Sequence, residues 1–122
     1  MQIQFAQSVS GSATSLTTSY ADLLTVPITT TGSSATVELS AVVGCSKTST
    51  GNVYAQLLWD DVSKAVGTIS LPADYSGVVV VSCVLSGVAA GSHTAKVQCK
   101  MNTSGGSAGG TDQAASLIVK EH

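Results

Sequence analysis

The sequence predicts an all-β fold, a single-domain, jelly-roll-like β-sandwich of about eight or nine strands. Three observations carry that reading. Apolar residues recur at a period of two along several stretches, the signature of half-buried strands. No window shows the 3.6-residue period of an amphipathic helix. The alternating stretches are short and recur at roughly 8–14-residue intervals, separated by Gly, Ser and Asp turn clusters, as in sandwiches and barrels. The longish turns favour a jelly roll over an up-and-down barrel. At 122 residues the chain is one domain, 1–122. A chain of this size buries roughly two-thirds of its unfolded surface, enough for a core without disulfide or metal.

Taken in order, Gln2–Val9 alternates through Ile3, Phe5 and Val9. It reads as a first strand, or as an N-terminal arm (1–10) that adds to a neighbour's sheet. Ser10–Ser15 is a small-residue turn. Leu16–Thr30 carries Leu16, Tyr20, Leu23, Leu24, Val26 and Ile28 among threonines, which gives one or two strands broken near Ser19–Asp22. Pro27 marks an edge position or a bulge, because it cannot donate to a ladder. Ala35–Val43 is a strand with Ala35, Val37, Leu39, Ala41 and Val43 inward. Gly44–Gly51 is a polar loop. Asn52–Asp60 puts Val53, Ala55, Leu57 and Trp59 on the core side, Asp60–Lys64 turns, and Ala65–Leu71 returns through Val66 and Ile69. Pro72–Gly77 is a loop around Tyr75.

Val78–Leu85 and His93–Met101 read as two arms of a hairpin across a Gly-containing loop, Ser86–Ser92. The second arm alternates cleanly, with His93, Ala95, Val97, Cys99 and Met101 on one side and Thr94, Lys96, Gln98 and Lys100 on the other. The first arm is apolar on both sides: Val79, Val81, Cys83 and Leu85 face one way, Val78, Val80 and Val84 the other. A β-branched run this dense needs cover on both faces and is expected at the centre of its sheet. Asn102–Thr111 is a mobile Gly/Ser loop, and Gln113–Lys120 closes the fold through Ala115, Leu117 and Val119.

Composition narrows the partners. Only 10% of residues are charged, against roughly 25% in a typical globular domain. There are five lysines and no arginine, but 19 serines and 14 threonines. A surface this weakly polar suits packing into an assembly. The net charge of −2 and the scattered lysines make no basic patch, so nucleic acid is not an expected partner. The longest strongly apolar run, Gly77–Leu85, is too short to span a bilayer, so no membrane partner is expected. Met1–Phe5 has neither a basic region nor a leader-like apolar core, and no signal peptide is expected. Cys45, Cys83 and Cys99 form an odd set without metal spacing and read as reduced, buried thiols, with one disulfide and one free thiol as the alternative.

Few residues point to chemistry. Gly105-Gly106-Ser107-Ala108-Gly109 matches a nucleophile elbow in letters, but that motif needs a preceding strand and a following helix. His93 reads as a hydrogen-bonded histidine at the shoulder of a turn, with no nucleophile beside it. Asp60 and Asp61, with Asp74 or Asp112, lack the ligand spacing of a calcium loop. Tyr20, Tyr54, Tyr75 and Trp59 are too scattered for a sugar-stacking platform. No catalytic, cofactor-binding or metal-binding residues are therefore expected, and the chain reads as a non-enzyme.

The segment Ser86–Gln98, which reads Ser-Gly-Val-Ala-Ala-Gly-Ser-His-Thr-Ala-Lys-Val-Gln, resembles a recurrent segment of small phage-encoded jelly-roll virion domains of C1q/TNF-like type. Thr17–Leu23 resembles their opening segment and Ser34–Ala41 their first long core strand. Leu57–Gly67 is similar to their hairpin, with Asp60-Asp61-Val62-Ser63 in place of the usual Asp-Gly turn. The likeness covers most of Leu16–Val119 and transfers no functional residue.

The resemblance implies a trimeric module, either a capsid decoration (cement) protein or the receptor-binding tip of a fibre. A homotrimer would cover Val78, Val80 and Val84. The first expectation is a bacteriophage virion structural protein, made in the host cytoplasm and placed on the capsid surface. Its partners would be its own copies and the major capsid protein, with Ile3, Phe5 and Val9 touching the shell or a neighbour. The alternative is a receptor- or glycan-binding fibre or tail tip using the loops Gly44–Gly51, Pro72–Gly77 and Asn102–Thr111. The absence of a coiled coil or shaft before the domain weighs toward decoration.

Overall fold

The computed structural model of the chain describes residues 2–8, 14–109 and 114–122, and only the backbone of residues 5–8. Ten strands lie among them: β1 (Gln2–Ser8), β2 (Thr14–Leu16), β3 (Ala21–Thr30), β4 (Ala35–Lys47), β5 (Gly51–Trp59), β6 (Val62–Leu71), β7 (Tyr75–Val88), β8 (Gly91–Met101), β9 (Gly106–Ala108) and β10 (Ala115–Glu121). They form two antiparallel sheets packed face to face, the jelly-roll sandwich expected from the sequence. In one sheet β4 carries β7 along one edge, and β10 followed by β9 along the other; β1 adds to β10 and β2 to β9. The second sheet runs β3-β8-β5-β6.

The inward positions are those the alternation marks. Val37, Leu39, Ala41 and Val43 of β4 are buried against Val53, Ala55 and Leu57 of β5 and Ala95, Val97 and Cys99 of β8. Each buried leucine contributes on the order of 2 kcal/mol through the area it takes from water. Trp59 belongs to this core. Pro27 sits on β3, an edge strand, where its missing N–H costs no ladder bond.

Several expectations are corrected. β7 and β8 are not a hairpin: β7 pairs with β4 in one sheet, while β8 pairs with β3 and β5 in the other. The chain crosses between sheets at Ala89-Ala90, flanked by Gly87 and Gly91 at φ 65° and 136°, where a side chain would be strained. β7 is therefore an edge strand, not a central one. β4 runs on to Lys47 through the stretch read as a loop. The Asp60–Lys64 turn shortens to Asp60-Asp61, both at positive φ (50° and 66°), joining β5 and β6 as a tight hairpin. The Asn102–Thr111 stretch contains β9, whose Ala108 is fully buried beside β4.

Two contacts close the ends and sides. Glu121 accepts hydrogen bonds from the Thr31 and Gly32 amides and from Gln2 Nε2, tying β1 and β10 to the β3–β4 turn. Those amides, Gly32 first, hold its carboxyl below the usual range. On the opposite side the free edges of β6 and β7 meet at Gly67, where a Cβ would lie 2.9 Å from the Val80 carbonyl oxygen.

Candidate assembly surface

The two outward faces of the sandwich differ in chemistry. Residues opposite each other in an antiparallel ladder share a side of the sheet. Across β1, β10, β4 and β7 the register sets Ile3–Lys120–Glu38–Val84 in one row. Ile118–Ser40–Ser82 makes the next row, Ser116–Val42–Val80 the third, and Gly44–Val78 the last. Val78, Val80, Val84 and Ile3 are 52%, 63%, 64% and 51% exposed, and Val42 is exposed beside them. The sequence-predicted contact residues Val78, Val80, Val84 and Ile3 therefore lie on one face of one sheet. Phe5 pairs with Ile118 in the backbone ladder, and its side chain, like all of Val9, lies outside the described residues. A groove of about 300 Å³ runs across this face between Ile118 and Val84, floored by Ser40 and Ser82 and rimmed by Glu38 and Lys120. Sequence reasoning named the valines but missed the groove, because its small floor residues come from two strands about 40 positions apart.

The outer face of the second sheet is largely polar and internally bonded, although Val66, opposite Gln56, is exposed on it. Asp22 accepts from Gln98, and Gln98 in turn accepts from Gln56, at 2.7 Å each, linking β3, β8 and β5. Lys96 pairs with Asp61 at 3.0 Å and Asp22 at 3.6 Å. Ser70 donates to Asn52, and Asn52 donates to the Tyr54 hydroxyl. Tyr20 and Tyr54, taken from the sequence as scattered, flank the Lys100 ammonium at 4.7 and 5.4 Å.

At one end of the sandwich His93 stacks on Trp59 with ring centroids 4.8 Å apart. Its Nδ1 meets Asp60 Oδ2 at 2.7 Å and its Nε2 meets the Ala89 carbonyl at 2.8 Å. The hydrogen bonds to Asp60 and then to Ala89 raise the imidazole's pKa, against a smaller opposing push from burial. At the other end, three loops gather around buried Lys47. Its ammonium donates to the carbonyls of Thr103 and Ser104, and its own carbonyl accepts from the Asp74 amide. Ser49 donates to the Ser104 carbonyl, and Thr103 donates to the Thr50 carbonyl.

Ser107 of the elbow-like motif lies on β9 with its hydroxyl 3.2 Å from that of Ser46. Asp60 and Asp61 lie at the His93 end, and Asp74 lies at the Lys47 end. No cluster of three His, Cys, Asp or Glu side chains able to hold a metal occurs among the described residues. Cys45 and Cys99 are buried free thiols and Cys83 is half-buried.

No protein-family model and no curated protein matches this sequence. Among solved structures the chain is similar to murine APRIL, with a TM-score of 0.60 and 11% identity over 98% of this chain and 99% of that one. It is similar to dimeric latent PorU from Porphyromonas gingivalis, with a TM-score of 0.57 and 10% identity. A structure of infectious bursal disease virus, Gx strain, follows at a TM-score of 0.51 and 8% identity. The chain spans 13% of the PorU chain and 33% of the virus chain. The likeness is one of fold. The jelly-roll β-sandwich expected from the sequence agrees with these similarities.

Proposed function

We propose that this chain is a bacteriophage virion structural protein, a homotrimeric decoration or cement protein on the outside of the capsid. The supporting observation is the contrast between the two outer faces. One presents Ile3, Val42, Val78, Val80 and Val84 to solvent, while the other exposes Val66 but otherwise joins its amides and charges to one another. A single-domain surface with one greasy sheet face gains by covering it. The groove rim carries one carboxylate, Glu38, and one ammonium, Lys120, so that copies of the face meet without like-charge repulsion. In this reading the trimer forms in the host cytoplasm and binds the major capsid protein on the finished shell. Its role is mechanical, with no catalysis, nucleic acid or membrane involved. A protein that binds assembled shell subunits, and not separated ones, shifts the equilibrium against separation by mass action.

Heating particles with and without the protein tests this. DNA release at a lower temperature from bare particles is expected, and equal release would remove the stabilising role. A monomer mass in native mass spectrometry at micromolar concentration would remove the trimer.

The alternative, a receptor-binding tip, draws on the three loops gathered around Lys47. Those loops spend many of their polar groups on one another, which favours the decoration reading. Blockage of adsorption by free protein would reverse that order.

A further inference from the structure

The Lys100 ammonium stands in contrast to two of the other lysines. Lys47 is buried on carbonyl oxygens and Lys96 is paired with two aspartates. Lys100 has no carboxylate or hydrogen-bond acceptor among the described residues. It is nevertheless held in place. Lys100 sits opposite Tyr54 in the β5–β8 ladder, and Tyr20 stands just before Ala21, which pairs with Cys99. The two rings flank the ammonium from neighbouring strands, 4.7 and 5.4 Å from their centroids. Cation–π contact fixes the charge without neutralising it.

The hydroxyls beside it are donors. Tyr54 oxygen accepts from Asn52 Nδ2 at 3.4 Å, which leaves its own proton to give. Tyr20 has no hydrogen-bond partner among the described residues. Burial, with Cys99 and then Tyr54 nearby, raises its pKa and keeps it protonated. One fixed ammonium and two phenol donors therefore share one spot on an open sheet face. Beside them lie the amides of Gln98, Gln56 and Asn52, each of which gives one N–H to its neighbour and keeps the second for a sugar hydroxyl.

We propose that Tyr20, Lys100 and Tyr54 form a binding site for the carboxylate of an acidic saccharide. The ammonium and phenols hold the carboxylate in charge-assisted hydrogen bonds, and the amide ladder meets the ring hydroxyls. The site lies on the polar sheet, away from the apolar face, and does not depend on trimer formation. In a trimer closed through the apolar sheet it would be displayed three times, which raises avidity for a polyvalent glycan.

The test is a two-dimensional amide NMR titration of the full chain with trigalacturonate, with sialyllactose, and with maltotriose as the neutral probe. Saturable shifts centred on Tyr20, Tyr54 and Lys100 with at least one acidic probe, and none with maltotriose, are expected. Lys100→Met keeps the aliphatic stem and should weaken that binding by about tenfold or more, its fold checked in the same spectra. Tyr20→Phe, which removes one donor and leaves the ring, should weaken it less. The proposal fails if neither acidic probe gives saturable shifts, or if Lys100→Met binds as the parent does. It also fails if acetate binds as tightly as the acidic sugars, since a plain carboxylate site would then suffice. None of these results alters the oligomer mass on which the trimer reading stands.

Discussion

His93 and Asp60, 33 positions apart, share a 2.7 Å hydrogen bond, and the second ring nitrogen of His93 donates to the Ala89 carbonyl. Both bonds are complete only when the imidazole carries two protons. The pair ties the Asp60-Asp61 turn, strained at positive φ, to the crossover between the two sheets. Asp60 also accepts from the Thr94 amide at 2.9 Å. Desolvation, the largest single influence on Asp60, pushes its pKa up. The bonds from His93 and Thr94 outweigh it and leave the carboxyl below its ordinary value.

The pH dependence follows from these signs. The raised His93 contributes stability that is whole below the ordinary histidine pKa of about 6.5. That contribution is lost as pH rises through the folded-state value. The lowered Asp60 contributes stability present above about pH 3.9 and lost as pH falls. Thermal melts should therefore peak in mildly acidic buffer and decline toward pH 9. His93→Gln should flatten the alkaline decline and lower the peak by a few degrees. An alkaline limb that is the same in both proteins would show that the imidazolium is not the cause.

Two glycines predict opposite outcomes. A Cβ on Gly67 would lie 2.9 Å from the Val80 carbonyl oxygen and 3.2 Å from Val81 Cβ, where the edges of β6 and β7 meet. Gly67→Ala must push two strands apart and should cost about 1–3 kcal/mol. At Gly32 the nearest atoms are 3.6–3.9 Å from the added carbon, an ordinary contact. Gly32→Ala should be neutral or slightly stabilising, because alanine loses less chain entropy on folding. Urea midpoints of the two variants decide it.

The thiols predict protection. Burial pushes Cys45 up to about 11, and burial with Cys45 nearby pushes Cys99 up to about 12. Neither forms appreciable thiolate at neutral pH, and thiolate is the reactive species. Burial also raises half-buried Cys83, with Lys64 opposing it. Iodoacetamide at pH 8 should modify Cys83 first, with Cys45 and Cys99 reacting only in denaturant. Peptide mass mapping of alkylated native protein reads the order.

The periodic parts of the fold were legible because a two-residue period is local. Val37, Leu39, Ala41 and Val43 announce β4, and Ala95, Val97 and Cys99 announce β8, without reference to any partner. Pairing is not local. Nothing in Val78–Met101 reveals that its two arms join different sheets, since β4, the partner of β7, lies about 40 residues earlier. β9 was hidden because Gly-Ser-Ala has neither period nor bulk, and backbone bonds to Cys45–Lys47 hold it in place. The valine side of β7 was legible as a face needing cover. Its shared surface with Ile3 was not, because that depends on β1 and β7 lying in one sheet.

Val80 offers the most direct test of that shared surface. It is 63% exposed in the single chain and lies beside Val42 at the centre of the apolar rows. Val80→Asp should therefore leave the isolated subunit's stability within about 0.5 kcal/mol, as surface changes usually do. In a closed assembly the same carboxylate would be buried without a counter-charge, at a cost of several kcal/mol. The variant should run as a folded monomer in light scattering, while Thr68→Asp on the polar sheet should match the parent mass. Subunits that assemble alike with an aspartate at either position would show that copies do not meet through the face of β4 and β7. The greasy rows would then have to be covered by the shell itself, and Val80→Asp should release the protein from particles without changing its mass in solution.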